Sequence, residues 1–423
     1  MGPPYGKLVV QRRLYWQYNC QYLAMHLSQR IPKVESDKIR MNRAPPPTHR
    51  LYAMPHSLYS ARARSYLIKH GIPFEEYSTG HESFKREVLP EAKLPTIPTL
   101  VTPEGEVVRD GAAIIEYFES RADRPCQPPS ACQSVVSALF DVIGSQGLLR
   151  PAMHYRWNFP EENTAFLRYH FLHSQRRVPA REEKTDHMMD RMRHAALIFG
   201  VTDETRDLVE ALYLAFLDAL NGHFEHYPYL LGWRPCIGDF GLLGPLYAHL
   251  GRDPYPARLM QHRAPWVWRW VERMNRADQN APEYLQPGDD FLPDDAVPDT
   301  LLDVMRAAAK DFMPETRASA EFINQWLIVQ APEVGAPAVG RLAEAPGTTA
   351  FSVSGQPISA LAQPYRHFQL QRVQQLFSDL SGIEQTAVSA LLESAGFGQL
   401  LSVSLSRVIE RESNLERWGG PRG

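Results

Sequence analysis

The stretch Leu51-Tyr52-Ala53-Met54-Pro55-His56-Ser57-Leu58-Tyr59-Ser60-Ala61-Arg62-Ala63-Arg64 decides how this chain is read. Arg50–Met54 is a short apolar run that predicts a strand, and Pro55 ends it. Ser57 stands at the start of a helix, where serine is a preferred N-cap. Ala63, Leu67 and Ile68 then recur at helical spacing through His70. Gly71 closes the helix as a C′ glycine does. The segment is a strand, a turn and a helix, with a hydroxyl at the helix start.

Working outward, Phe74–Tyr77 predicts a second strand and His81–Val88 a poorly formed helix or loop. Thr96–Val101 and Glu106–Val108 predict two more strands, joined by the turn sequence Pro103-Glu104-Gly105. Gly111–Ser120 predicts a helix with Ile114, Ile115 and Phe118 facing inward. Residues 123–129 form a linker by composition. After it the spacing turns helical over Val135–Leu149, Glu162–Leu172, Glu182–Phe199, Asp203–Phe224, Gly238–His249 and Pro265–Met274. Gln286–Pro298 reads as a second linker. Helices are expected again over Leu301–Phe312, Ala318–Leu327, Phe368–Leu380, Thr386–Ser394 and Gly398–Arg411. Gly335–Gln363 predicts loop with a small hairpin. The chain has no internal repeat.

The chain has 423 residues, 44% hydrophobic and 22% charged, with a net charge of −3. That length supports two or three domains. The charge balance argues against a nucleic-acid partner and a membrane surface, and no membrane span is expected. The cysteines Cys20, Cys126, Cys132 and Cys236 form no C-x-x-C pair, so neither a structural zinc nor a dithiol site is expected. So few cysteines suit a reducing compartment, here the cytoplasm. His170/His173 and His223/His226 lie one helical turn apart without a third ligand, and no metal is assigned. The first 48 residues are basic: Lys7, Arg12, Arg13, Arg30, Lys33, Lys38, Arg40 and Arg43 stand against Glu35 and Asp37. They read as an unstructured extension, with a targeting peptide as the alternative.

Four elements in order carry a family resemblance. Leu51 to Arg64 looks like the first strand, active-site turn and first helix of the glutathione transferase superfamily. Thr96-Ile97-Pro98-Thr99-Leu100 resembles its proline-before-strand element. Arg109-Asp110-Gly111-Ala112-Ala113-Ile114-Ile115-Glu116-Tyr117-Phe118 resembles its acid-serine helix start. Arg234-Pro235-Cys236-Ile237-Gly238-Asp239-Phe240 is similar to the capping turn of its second domain. The resemblance spans residues 49–285. It implies an α+β fold: a thioredoxin-like domain at 49–122, an all-α domain at 130–285, and a helical C-terminal extension at 299–423 beyond the usual family length.

The resemblance also implies chemistry. Ser57 would stabilise the glutathione thiolate, which makes the chain serine-type: Ala53 stands where a tyrosine-type hydroxyl would be, and no cysteine occupies position 57. Tyr59 and Ser60 are the backups. Lowering a thiol pKa from about 8.5 to neutrality needs about 2.7 kcal/mol. A helix start contributes about 0.3–2 kcal/mol and a charge-assisted hydrogen bond about 1.5–3. Pro98 is expected to be cis, exposing the backbone of Ile97 to the cysteinyl part of the ligand. Asp110 and the amide of Gly111 would hold the γ-glutamyl end, although Gly111 lacks the hydroxyl that the family pattern supplies. Met153, Tyr155 and Trp157 are candidates for the electrophile pocket. The expected activity is attack of glutathione, as co-substrate, on a small electrophile by a homodimer. The alternative is a non-catalytic binding or scaffold protein. Asp239 is read as a structural cap.

Overall fold

A computed structural model describes residues 48–278, 281–340 and 345–422. The basic segment 1–47, with the extension or targeting peptide read there and Cys20, lies outside the described residues. Residues 48–423 form one unit.

The first layer is a four-stranded sheet. β1 (His49–Tyr52) leads through α1 (Leu58–Lys69) to β2 (Phe74–Tyr77). β1 and β2 run parallel, which demands a crossover, and α1 supplies it. β3 (Thr99–Val101) and β4 (Val107–Arg109) form a hairpin antiparallel to β1, giving the order β2-β1-β3-β4. Gly71 takes φ 61 as a C′ residue should. Before β3, residues 84–88 form a π-turn and α2 (Leu89–Ala92) follows. Tyr52 pairs with Thr99, and Thr99 pairs with Arg109. The residues just beyond that row therefore meet at one end of the sheet. α3 (Gly111–Glu119) begins directly after β4.

The helical layer starts with α4 (Ala131–Val142), a π-turn at 143–147 and α5 (Leu149–Trp157). This run is long and apolar enough to cross a membrane, but 89% of its apolar window is buried inside the fold. It is a core helix. α6 (Pro160–Ser174), α7 (Arg181–Ile198), α8 (Arg206–Phe224), α9 (Ile237–Ala248), α10 (Pro254–Arg263) and α11 (Pro265–Met274) complete the layer. α10 had no signal in the sequence pattern. Cys236 and Asp239 form the expected capping box at the start of α9, and Trp270 Nε1 donates to Asp239 at 2.9 Å. Gly144 and Gly241 let the two chains cross closely, since a Cβ on Gly144 would lie 2.2 Å from the Gly241 backbone.

The extension departs from expectation twice. The two helices expected on either side of Pro314 are one 32-residue helix, α12 (Asp299–Gln330). Proline removes one internal hydrogen bond. The buried stripe of Val304, Phe312, Ile323 and Leu327 continues across it, so packing outweighs that loss. The helix expected over Gly398–Arg411 is not formed. A short 3₁₀ turn at 400–402 gives way to a hairpin, β7 (Arg407–Glu412) and β8 (Leu415–Pro421). Its turn residues Ser413 and Asn414 have φ 47 and 65, as a two-residue type I′ turn requires. Trp418 and Ile409 are buried against α12 in one apolar cluster. A second hairpin, β5 (Thr348–Val353) and β6 (Gln356–Leu361), and helices α13 (Pro364–Ser378) and α14 (Gly382–Ser394) make up the rest. Leu301, Phe312, Leu370 and Leu392 belong to the same core as Phe140, Leu217 and Leu243. The extension thus shares the core of the helical layer.

Candidate functional site

Ser57 caps α1 with φ −92 and ψ 118. Its hydroxyl oxygen accepts the Ser60 amide at 3.3 Å. Capping uses a lone pair, so the hydroxyl proton stays available to donate. Ser57 is half-buried, whereas Ser60 is fully buried, so Ser57 is the better placed of the two. The turn before it is held by a residue that the sequence pattern did not reveal. Arg156 on α5 donates to the His56 carbonyl at 2.9 Å. It is fixed in turn by Asp253 at 2.6 and 2.9 Å, and both side chains are buried.

Ile97–Pro98 is a cis peptide bond, as expected. The Pro98 carbonyl accepts the Asp110 amide at 2.9 Å. Among the described residues nothing hydrogen-bonds to the Ile97 amide or carbonyl. Ser57, Ile97 and Asp110 follow or precede the three strand residues Tyr52, Thr99 and Arg109 that form one row. The fold therefore brings these parts to one sheet end.

Asp110 caps α3 from φ 89, its Oδ1 accepting the amides of Ala112 and Ala113 at 2.9 and 3.3 Å. Its other oxygen is also taken. Tyr365 on α13 donates to Oδ2 at 2.6 Å, and Gln369 donates to the Tyr365 oxygen at 3.0 Å. Arg411 on β7 lies 3.4 Å from Oδ1. Burial by itself would raise the Asp110 pKa, but Arg411, Arg62 and the Tyr365 bond outweigh it and hold the carboxyl down to about 2. The hairpin is tied to the sheet edge by its turn. Asn414 accepts the Arg109 amide at 3.0 Å and donates to the Val107 carbonyl at 2.9 Å. Its side-chain amide thereby imitates a peptide pairing with edge strand β4. Glu416, wholly buried, accepts from Arg109 at 2.6 Å and also pairs with Arg411. No sequence signal pointed to Tyr365, Arg411 or Glu416.

A side chain at position 111 would be crowded. A Cβ there would lie 2.8 Å from Arg62 Cγ and Cδ and 3.0 Å from the Tyr59 carbonyl. Arg62 cannot easily yield, because it is buried in an ion pair with Asp141. Tyr59 keeps 39% of its surface exposed. Its hydroxyl is pushed up to about 12 by the surrounding protein and then by Asp110, so it is a proton donor at neutral pH.

Met153, Tyr155 and Trp157 do not come together. All three are buried. Met153 and Trp157, four apart on one helix, share a face and pack with Leu167, Phe171 and Met189. Tyr155, two apart, points the other way and stacks near Phe159 and Tyr213. The indole Nε1 of Trp157 and the Nδ1 of His56 are buried without a partner, and the Phe171 ring lies 4.9 Å from that of His56.

For a metal, one group among the described residues has suitable donors: His70, Glu119 and Cys126, all within 4.8 Å. Glu119 already accepts from Tyr66 and from the amides of Cys126 and Gln127. Burial, then Glu119, raises the Cys126 thiol pKa. The sulfur lies 3.4 Å from His70 Nε2, an arrangement that a thiol–imidazole hydrogen bond explains. His170 meets Arg252 at 3.0 Å and His173 meets the Tyr169 carbonyl at 2.6 Å, so that pair does not converge.

Residues 51–127 match the family described as glutathione S-transferase, N-terminal domain. No curated protein matches the sequence. Several solved structures are similar. A glutathione S-transferase from Methylobacterium radiotolerans JCM 2831, crystallised with glutathione sulfonate, is 19% identical over 58% of this chain and 99% of its own, with a TM-score of 0.34. A glutathione S-transferase from Xanthobacter autotrophicus Py2 is 22% identical over 58% of this chain and 97% of its own, with a TM-score of 0.31. The β-etherase LigF from Sphingobium sp. strain SYK-6 is 16% identical over 55% and 97%, with a TM-score of 0.38. The matched segment holds Ser57, Ile97, Pro98, Asp110 and Gly111.

Proposed function

We propose that this protein binds a thiol peptide of the glutathione type and activates its thiol for attack on a small electrophile, the sulfur staying on the peptide as the new carbon–sulfur bond forms and the electrophile's leaving group departs. The observation that carries this reading is the convergence of Ser57, the unpaired backbone of Ile97 and Asp110 at one sheet end. The cysteinyl backbone would pair with Ile97 as a short added strand. The thiolate would sit at the start of α1, where amide dipoles favour negative charge. Ser57, already accepting from Ser60, would donate its free proton to the sulfur. Tyr59, protonated at neutral pH, is the alternative donor. No metal enters this scheme. The reading places the protein in the cytoplasm as a homodimer. The scaffold alternative is favoured by one observation, the occupation of Asp110 by Tyr365 and Arg411.

Two substitutions separate catalysis from capping. Ser57→Ala removes cap and donor together, lowering stability by about 1 kcal/mol. Ser57→Gly removes the donor while sparing the cap to within a few tenths of a kcal/mol. The measurement is conjugation of a small aryl halide with glutathione and with cysteinylglycine. The expected result is a drop of at least about ten-fold in kcat/KM for both variants, the equivalent of 1.4 kcal/mol or more. Unchanged turnover in Ser57→Gly makes the hydroxyl a cap only. No conjugation of either thiol by the wild type favours the scaffold.

A further inference from the structure

Asp110 is an acid at a helix start, a place suited to an ammonium group with a carboxylate beside it. In this fold the place is filled by the chain itself. Arg411 brings a cation to within 3.4 Å of the carboxylate, and Tyr365 donates to it at 2.6 Å. The occupants are firmly held. Arg411 also pairs with buried Glu416, Asn414 seats the hairpin turn on β4, and Gln369 supports Tyr365. The other end of the row has no such occupant, because no described residue hydrogen-bonds to the backbone of Ile97.

We infer that Arg411 and Tyr365 stand in the place of the ligand's α-amino-acid end, and so set the site's preference toward thiol peptides that lack that end. This rests on the thiol-peptide reading given above. A ligand with only a cysteinyl backbone and a thiol meets Ile97 and Ser57 without disturbing the hairpin. A ligand with a γ-glutamyl group brings its ammonium to an acid already neutralised. It has to displace a cation that is better anchored than itself. The crowding of Gly111 by Arg62 acts in the same direction, since no serine hydroxyl is available to the displaced end.

The test is a pair of affinities, for glutathione and for cysteinylglycine, measured by titration calorimetry on the full chain. The proteins are the wild type, Tyr365→Phe and Arg411→Ala. Tyr365→Phe deletes one hydroxyl and leaves the ring, so it retains the fold if Arg411→Ala does not. The expected result is a wild type that binds cysteinylglycine at least as tightly as glutathione. In the variants glutathione affinity rises about five- to ten-fold while cysteinylglycine affinity stays within two-fold. A wild type that prefers glutathione by ten-fold or more, with the ratio unmoved in both variants, overturns the inference and leaves the thiol-peptide reading standing. Absence of binding by either thiol to all three proteins overturns the reading itself and the inference with it.

Discussion

The two ends of the candidate site were built from the same row of strand residues, yet they are in opposite states. At the Ser57 and Ile97 end, a hydroxyl proton and a peptide backbone face no described partner. At the Asp110 end, both carboxylate oxygens are taken, each of them by a residue more than 250 positions away. A complete local motif therefore does not make a complete site. The first end depends on a turn and a helix start, and these are local. The second depends on what the rest of the chain lays across it.

The contrast can be broken most severely at Glu416. This side chain is wholly buried between Arg109 and Arg411. Removing one partner of a buried ion pair costs about 3–5 kcal/mol, because the charge left behind is uncompensated. Glu416→Ala is expected to lower the unfolding free energy by that amount in a denaturant titration. A loss under 1 kcal/mol would mean that the closed end is held by packing and not by charge.

The anchor of the closed end is also expected to respond to acid. His367, next to Arg366 on α13, bonds Ser319 on α12 at 3.0 Å and is buried. Burial, then Arg366, pushes its pKa down to about 3 from 6.5. The imidazole is neutral when folded. The stability it carries is fully present above pH 6.5 and is lost as the pH falls toward 3. Between pH 6.5 and 4 the loss is roughly 3 kcal/mol. His367→Gln should flatten that part of the stability profile, and an unchanged profile would remove His367 from the acid response.

Gly111 offers the smallest and most local perturbation. Gly111→Ser adds a hydroxyl but meets Arg62 and the Tyr59 carbonyl. Overpacking of this kind costs about 1–3 kcal/mol. Gly222, in α8 with open space around its Cβ position, is the control. Gly222→Ser should be neutral or slightly stabilising by helix propensity. Melting curves of the two proteins decide the matter. Equal curves would show that Arg62 moves aside freely and that the site tolerates a serine.

Much of the first layer was legible in the sequence. Ser57 and Gly71 mark the ends of α1 by their own backbone preferences, and Asp110 marks the start of α3. The candidate residues Ser57, Ile97, Pro98 and Asp110 were picked out by spacing and resemblance, and the strand register carries them to one end of the sheet. Met153, Tyr155 and Trp157 were grouped by chain position, but helical geometry turns them to different faces. The first strand of the last hairpin was read, through Arg411, as the end of a helix, because the turn Ser413-Asn414 was not weighed as a type I′ signal. Leu301–Phe312 and Ala318–Leu327 were read as two helices because the buried stripe that carries one helix past Pro314 is set by tertiary packing.

What the sequence by itself determined is therefore the set of short-range choices: strands, helix starts, glycine ends and the residues placed at the end of the first sheet. What only the tertiary structure decided is the state of those residues. Asp110 is bonded to Tyr365, 255 positions on, and Arg109 to Glu416, 307 positions on. Contacts at that separation leave no periodicity or spacing in the chain. They arise because the extension buries its apolar face against the helical core, and that docking carries Tyr365 and Arg411 onto a carboxylate that the local motif had left open.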